Sequence, residues 1–220
     1  MKTFFISDTH FNHNKPFVYA DRGFKTIEDM NEAIIENWNK VVGKEDKVFV
    51  LGDFALGTDL DGINKILRRL SGEIHLIKGN HDTDTKWEFY KNSDANVYVH
   101  DWVYTTKMGK NMVYMSHFPT IINDQYMKPL KKAVINLFGH THSKQKLYEH
   151  ADAFNYYMYN VACDANNCTP VSWEEIYAYI KERCDLFEAE QKELLAPPEH
   201  FTELPEPPAK FDFSGVKVVK

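Results

Sequence analysis

Short apolar runs that end abruptly in histidine, aspartate or asparagine recur along this chain, and no other feature restricts its fold as much. Ile74, Leu76 and Ile77 read as a buried strand that Gly79 breaks, and Asn80, His81 and Asp82 come directly after it. The same order appears where Phe4-Phe5-Ile6 runs into Asp8 and His10, and where Val48-Phe49-Val50-Leu51 runs into Gly52-Asp53. It appears again where Val113-Tyr114-Met115 meets His117, and where Ile135-Asn136-Leu137-Phe138 meets Gly139-His140-Thr141-His142. In an open α/β sheet, ligands gather outside the carboxyl ends of the strands, so chemistry is expected at these points.

The segments between the runs define the layers. Thr26 is a helix cap, and the stripe Ile27, Met30, Ile34, Trp38 and Val41 predicts a helix to Val42, stopped by Gly43. Ile63, Ile66, Leu67 and Leu70 predict a second helix before Gly72, and a short third one is expected over Thr85 to Tyr90. With strands at Thr3 to Ser7, Lys47 to Leu51 and Glu73 to Ile77, the order is β-α-β-α-β, which implies parallel pairing. The polar stretch Asp8 to Asp21 reads as a loop.

Beyond Val97 the style changes. Strands are expected at Val97 to Val99, Trp102 to Met108 and Asn111 to Ser116, with a hairpin turn at Gly109-Lys110. Ile135 to Phe138 and Tyr156 to Val161 add two more. Together these predict an α/β fold: a four-layer α/β/β/α sandwich with two mixed β-sheets packed face to face and helices outside. Ser172 and Glu175 form a capping box that opens a long helix through Ile176, Ile180, Cys184 and Phe187 to about Leu195. The domain is expected over residues 1–196. The Pro-rich tail, 197–220, is expected to dock on it as an edge strand rather than hang free.

A length of 220 residues and 43% hydrophobic content fit one domain with a sizeable core. No apolar run approaches about 18 residues, so no membrane span is expected. The N-terminus enters a strand without a signal-peptide pattern, which points to the cytoplasm. Cys163, Cys168 and Cys184 are not in metal-ligand spacing, and free thiols are expected there. A net charge of -6 argues against a broad duplex-binding face but not against a small anionic substrate.

Of the ten histidines, His10, His13, His81, His117, His140 and His142 lie at strand ends or just beyond, alongside Asp8, Asp53 and Asn80. Any one of them is more often a core or surface residue than a ligand. Their shared position is what points to a site. Imidazole and carboxylate without thiolate suit manganese, iron, cobalt, nickel or zinc. These donors outnumber what one ion needs and suit a pair bridged by a carboxylate, about 3.5–4 Å apart. In Asp8-Thr9-His10 and His140-Thr141-His142, an extended backbone is expected to turn the outer residues to one side and the threonines away. Gly52, Gly79 and Gly139 are expected to let the main chain turn beside a crowded site.

Asp8-x-His10, Gly52-Asp53, Gly79-Asn80-His81-Asp82, the isolated His117 and Gly139-His140-x-His142 stand in an order that resembles the metallophosphoesterase, or calcineurin-like phosphoesterase, superfamily. The resemblance spans about Met1 to Trp173. It is strongest to small bacterial and bacteriophage members whose first block continues as Asp-Thr-His-Phe-x-His, here through His13. It implies that Asp8, His10 and His142 hold one divalent ion, that Asn80, His117 and His140 hold a second, and that Asp53 bridges both. Manganese is the first expectation, with iron, zinc, nickel or cobalt as alternatives. The implied activity is hydrolysis of a phosphodiester or phosphomonoester by a metal-bridging hydroxide, with His81 protonating the leaving oxygen.

Many relatives carry another acidic residue shortly after Gly-Asp, where this chain has Phe54-Ala55-Leu56, so the partner of His81 is either missing or supplied from elsewhere, with Asp82 and Asp59 as candidates. His13 either contacts the substrate phosphate or caps its own loop. With Asn80 and His81 it is an expected substrate-binding residue. Lys128 to Lys132 reads as a solvated loop, and Tyr156, Tyr157 and Tyr159 as core. Asn12, Asn14 and Asn123 are weak candidates for the pocket lining, and Asn160 and Asp164 are expected to tie down a loop. The implied partner is a small phosphorylated or nucleotide substrate, with no membrane and no stable nucleic-acid partner. Rival readings are a DNA or RNA nuclease using the same centre, and a non-catalytic interaction module of the same fold. A metallo-β-lactamase-type hydrolase is a third, but it would need His-x-His-x-Asp-His in one block, and Ser143 and Lys144 follow His142.

Overall fold

In a computed structural model of the full chain, residues 1–57, 59–120, 130–146 and 157–195 are described. The chain divides into two compact units, Met1–Cys184 and Asp185–Lys220. Of the second, only Asp185 to Leu195 is described, so the expected tail over 197–220 lies outside the described residues. Among the described residues, no helix is long and apolar enough to cross a membrane.

The first half builds a parallel β-α-β-α-β core. Strand β1 (Thr3–Ile6) leads through a short helix, α1 (Pro16–Tyr19), to α2 (Ile27–Val41) and β2 (Lys47–Leu51). Helix α3 (Leu60–Leu67), β3 (Glu73–Ile77) and α4 (Asp84–Lys91) come next. β1 pairs parallel with β2 and β2 with β3, placing Phe5 beside Phe49 and Val50 beside Leu76. Helix α1 interrupts the stretch expected to be loop. Pro16 sets the backbone angle of its first turn and buried Val18 holds it to the core.

The strands are buried on both faces because each face packs against a different layer. Phe4, Ile6, Val48, Val50, Ile74 and Leu76 meet the helices, while Phe5, Phe49, Leu51 and Ile77 meet the second sheet. Thr26 accepts a hydrogen bond from the Asp29 amide and fixes the start of α2. Ile27, Met30, Ile34 and Trp38 are buried as the stripe predicts, but Val41 faces solvent. The chain leaves helical geometry at Val42, which turns inward and packs in its place.

The second half supplies β4 (Val97–His100), β5 (Val103–Met108), β6 (Asn111–Ser116), β7 (Val134–Phe138), β8 (Met158–Asn160), β9 (Val171–Ser172) and α5 (Trp173–Leu195). One sheet runs β4-β3-β2-β1-β9 and the other β5-β6-β7-β8. β9 lies antiparallel on β1, and β5 antiparallel on β6, so both sheets are mixed. Val113, Met115, Ile135 and Leu137 fill the space between the sheets, and Ile176 and Ile180 of α5 close the same core. The capping box is present: Ser172 Oγ accepts from the Glu175 amide, and Glu175 Oε2 accepts from the Ser172 amide. Tyr157 and Tyr159 are buried, and Tyr156 lies outside the described residues.

His75 stacks 4.7 Å from Phe49 and faces Glu73, Lys47, Tyr98 and His100. Burial pushes its pKa down despite the Glu73 carboxylate. A histidine held neutral in the fold but free to protonate when unfolded stabilises fully only above the unfolded value of 6.5, and that stability drains as pH falls below it. Replacing His75 with phenylalanine is therefore expected to flatten the acid-side fall in urea midpoint of the metal-free protein. Parallel curves for the two proteins would exclude the effect.

Candidate metal centre

The loops after β1, β2 and β7 carry left-handed backbone at Asp8 (φ 56°), His10 (47°), Asp53 (54°), His140 (67°) and His142 (50°). Non-glycine residues rarely adopt this geometry, and it gathers at functional sites. It replaces the extended backbone expected for Asp8-Thr9-His10 and His140-Thr141-His142. Alternate left-handed residues bend the chain so tightly that both outer side chains enter one space. Thr9 does face away, its hydroxyl donating to the Phe54 carbonyl at 2.7 Å. Loop-to-loop bonds hold the bend: the Asp8 amide donates to Gly52 O and the His10 amide to Asp53 O.

Asp8 is wholly buried, and its two carboxylate oxygens differ. Oδ2 accepts from Ser7 Oγ at 2.6 Å and from the His140 amide at 2.9 Å, whereas Oδ1 has no hydrogen-bond partner. His10 is 2% exposed, and neither ring nitrogen has a hydrogen-bond partner. Its Nε2 lies 3.8 Å from Asp8 Oδ1, and His142 Nε2 also lies 3.8 Å from that oxygen. Ligands at about 2.0–2.2 Å from one ion stand no more than roughly 4.4 Å apart, so these three converge at cation distance.

A second convergence lies alongside. His117 Nε2 is 2.8 Å from Asn80 Oδ1, and His140 Nδ1 is 3.0 Å from the same oxygen and 3.2 Å from His117 Nε2. The Leu51 carbonyl can only accept, so at 2.8 Å it fixes the His117 proton on Nδ1. Nε2 then faces the Asn80 oxygen, where it can hold either a proton shared with that oxygen or a cation that both atoms ligate. Asp53 stands between the two groups. Its Oδ1 accepts from the His81 amide at 2.8 Å, while Oδ2 faces His117 Nε2 at 3.4 Å and His10 Nε2 at 3.7 Å. Asp8, His10 and His142 form one possible cation-binding group, and Asp8, Asp53 and His117 another. An oxygen- and nitrogen-donor cage with buried, partnerless lone pairs fits divalent ions.

The electrostatics agree with that fit. Burial would raise the Asp8 pKa, but the surrounding His10, His117 and His142 hold it down at about 2. Burial would lower the His117 pKa, yet Asp53 and Asp8 outweigh it and hold the ring at about 8. The pocket draws positive charge inward, from whatever source supplies it.

Of the two alternatives for the partner of His81, neither Asp82 nor Asp59 is seen to supply it. Asp82 Oδ2 instead accepts from the amides of Asp53 and Gly79, both at 2.9 Å, and Asp59 caps α3 by accepting from the Gly62 amide. Buried Lys86 holds the His81 carbonyl at 2.5 Å and the Ala55 carbonyl at 2.7 Å, so the His81 backbone is pinned while its side chain stays 47% exposed. At Gly139 any Cβ would collide with Ser7 Oγ and Asp8 Oδ2, so the loop approaches Asp8 only because that position is bare.

Two further residues belong to the site, and neither was legible in the sequence as a motif. Asp164 Oδ2 lies 3.0 Å from His142 Nδ1, which places the His142 proton there and turns Nε2 towards Asp8. Arg22 grips Asp164 through Nε at 3.0 Å and Nη2 at 2.8 Å, and donates to the Asp8 and Thr9 carbonyls. Asp164 was expected merely to tie down a loop. Asn160 does that, through the Ser143 and Gln145 carbonyls. Asn12 turns away to Asn31, and Asn14 is exposed. Lys131 and Lys132 are exposed, while Asn123 and Lys128 lie outside the described residues.

Asp164→Asn keeps the size of the side chain but removes the charge that orients His142. It is expected to weaken Mn²⁺ binding about 10–100-fold by calorimetry and, because it also breaks the buried ion pair with Arg22, to lower the urea midpoint of the metal-free protein. Unaltered affinity would show that His142 needs no such support.

Comparison with known proteins identifies the family. The family model for calcineurin-like phosphoesterases matches residues 1–152, which contain every candidate ligand from Asp8 to His142. An uncharacterized protein of Methanocaldococcus jannaschii is 45% identical over 82 residues, and the match covers 37% of this chain and 47% of that protein, about half its length. The Gene 66 protein of Mycobacterium phage D29 is 32% identical over 161 residues, 64% of this chain and 78% of that one. A protein of unknown function from Aquifex aeolicus shares the fold with a TM-score of 0.60 at 24% identity, covering 80% of this chain and 97% of its own. The chain belongs to the calcineurin-like phosphoesterase family.

Proposed function

We propose that this chain is a phosphoesterase that hydrolyses a phosphodiester at a pair of divalent cations. The observation that carries the reading is the set of buried donors left without partners, Asp8 Oδ1 and both His10 nitrogens, beside the Asn80–His117–His140 convergence. Asp8, His10 and His142 would hold one ion, Asn80, His117 and His140 the other, and Asp53 would lie between them. Manganese suits this donor set, as do iron, zinc, cobalt and nickel. When bound, such ions neutralise charge on phosphoryl oxygens and lower the pKa of the attacking water.

The chain's own residues do the rest. Asp8 and Asp53, anchored by amides through one oxygen each, keep the donors spaced without moving as charge develops. His81 projects from a pinned backbone, with Nε2 4.0 Å from Asp53 Oδ2, and sits at the mouth of the site where a leaving oxygen departs. From there a ring N–H would donate the proton that the departing alkoxide or phenoxide needs. Burial, with His10 and His81 nearby, lowers the His13 pKa to about 4, so this ring is neutral at physiological pH and offers one N–H to a phosphoryl oxygen.

The test is turnover of bis(p-nitrophenyl) phosphate by metal-stripped protein before and after Mn²⁺ is restored. Restoration is expected to bring activity, inorganic phosphate to inhibit it, and Asp53→Asn to remove it by more than about 100-fold. Inactivity with every divalent ion would favour a non-catalytic module. His13→Ala is expected to retain both metals by elemental analysis yet lose turnover; undiminished turnover would remove His13 from the reaction.

A further inference from the structure

A cleft of about 540 Å³ opens directly from the metal centre, bounded by His10, His13, Phe17, Leu56, His142 and Lys144. Its size falls within the range of small-ligand sites. It is far larger than a phosphoryl group alone would occupy. Phe17 is 66% exposed on one wall, so most of its ring surface is open to the cleft. It is not a loose surface residue. It sits on α1, whose Pro16 starts the helix and whose Val18 is buried, and it meets His13 edge to face at 5.7 Å and 86°. His13 in turn lies 5.3 Å from the metal ligand His10. These rings form a stepped run outward from the cage along the cleft.

Resting on the function proposed above, we propose that this cleft binds the nucleoside part of a nucleotide ester, with its base stacked on Phe17. Bases stack on aromatic side chains whatever their sequence identity, because every base has a π-face. Arg22 also lines the cleft, but its guanidinium is consumed by Asp164 and by the Asp8 and Thr9 carbonyls. Lys144 is the exposed cation at the rim. Asp21 shares the wall, so the cleft suits a single neutral nucleoside better than a polyphosphate. Phe17 is then a specificity-determining residue, separate from the donors that hold the cations.

The experiment is equilibrium binding to full-length, Mn²⁺-loaded protein of three probes: adenosine 5′-monophosphate, ribose 5-phosphate and inorganic phosphate. Wild type is expected to bind the adenylate about tenfold or more tighter than the ribose phosphate. In Phe17→Ala the two are expected to converge, and Phe17→Trp is expected to restore the gap, with inorganic phosphate affinity unchanged throughout. Equal affinities in wild type, or a gap that survives Phe17→Ala, would overturn the platform. Phenyl phosphate binding as tightly as the adenylate, with the same dependence on Phe17, would overturn the nucleoside in favour of simple aryl esters. Loss of inorganic phosphate binding by wild type would instead overturn the metal-centre reading itself, so the two failures are distinguishable.

Discussion

Two buried carboxylates, Asp8 and Asp53, are each anchored through one oxygen and left open through the other, and the rest of the molecule is arranged around that asymmetry. Unpaired ionised carboxylates in an apolar interior carry a large desolvation penalty. Here the penalty is offset by amides on the anchored side and by a ring of imidazoles on the open side. The imidazoles lower the carboxylate pKa values, and the carboxylates raise that of His117. Each set makes the other tolerable, and together they present a site that needs positive charge at its centre.

The sandwich supplies the geometry for this. Parallel strands β1, β2 and β3 end side by side, so the loops leaving them emerge at one edge. β6 and β7 of the second sheet deliver His117 and His140 to the same edge. The loops then bond to one another, with the His10 amide on Asp53 O and the Gly139 amide on His117 O. Left-handed residues at Asp8, His10, Asp53, His140 and His142 are held in place by these cross-links. A rigid scaffold can hold such strained positions because the surrounding contacts over-determine them.

Outside the cage, a second layer does a different task. Asp82 and Lys86 hold backbone groups of Asp53, Gly79, Ala55 and His81, while Arg22 and Asp164 hold the His142 ring. Beyond them the ring run from His10 through His13 to Phe17 leads away from the cage into the open cleft. The donors and their supports are mostly buried, whereas Phe17 and Lys144 face solvent. Rigidity is thus concentrated where the charges are placed, and exposure along the cleft that opens from them.

The sequence by itself determined the strand runs, their order, the amphipathic helices and the positional class of the donors. Each of those depends on local periodicity or on the residue types found just past a strand's end. It could not place Asp164, because the contact with His142 spans a separation that no spacing rule encodes, nor Arg22, whose hydrogen bonds reach across the loops. It also put extended backbone at Asp8 and His10, where loop-to-loop bonding imposes left-handed turns, and a helix-stripe position at Val41, where an early stop turned Val42 inward instead. Only the tertiary structure decided which side chains support which, because partners distant in the chain are chosen by how the strand ends come together.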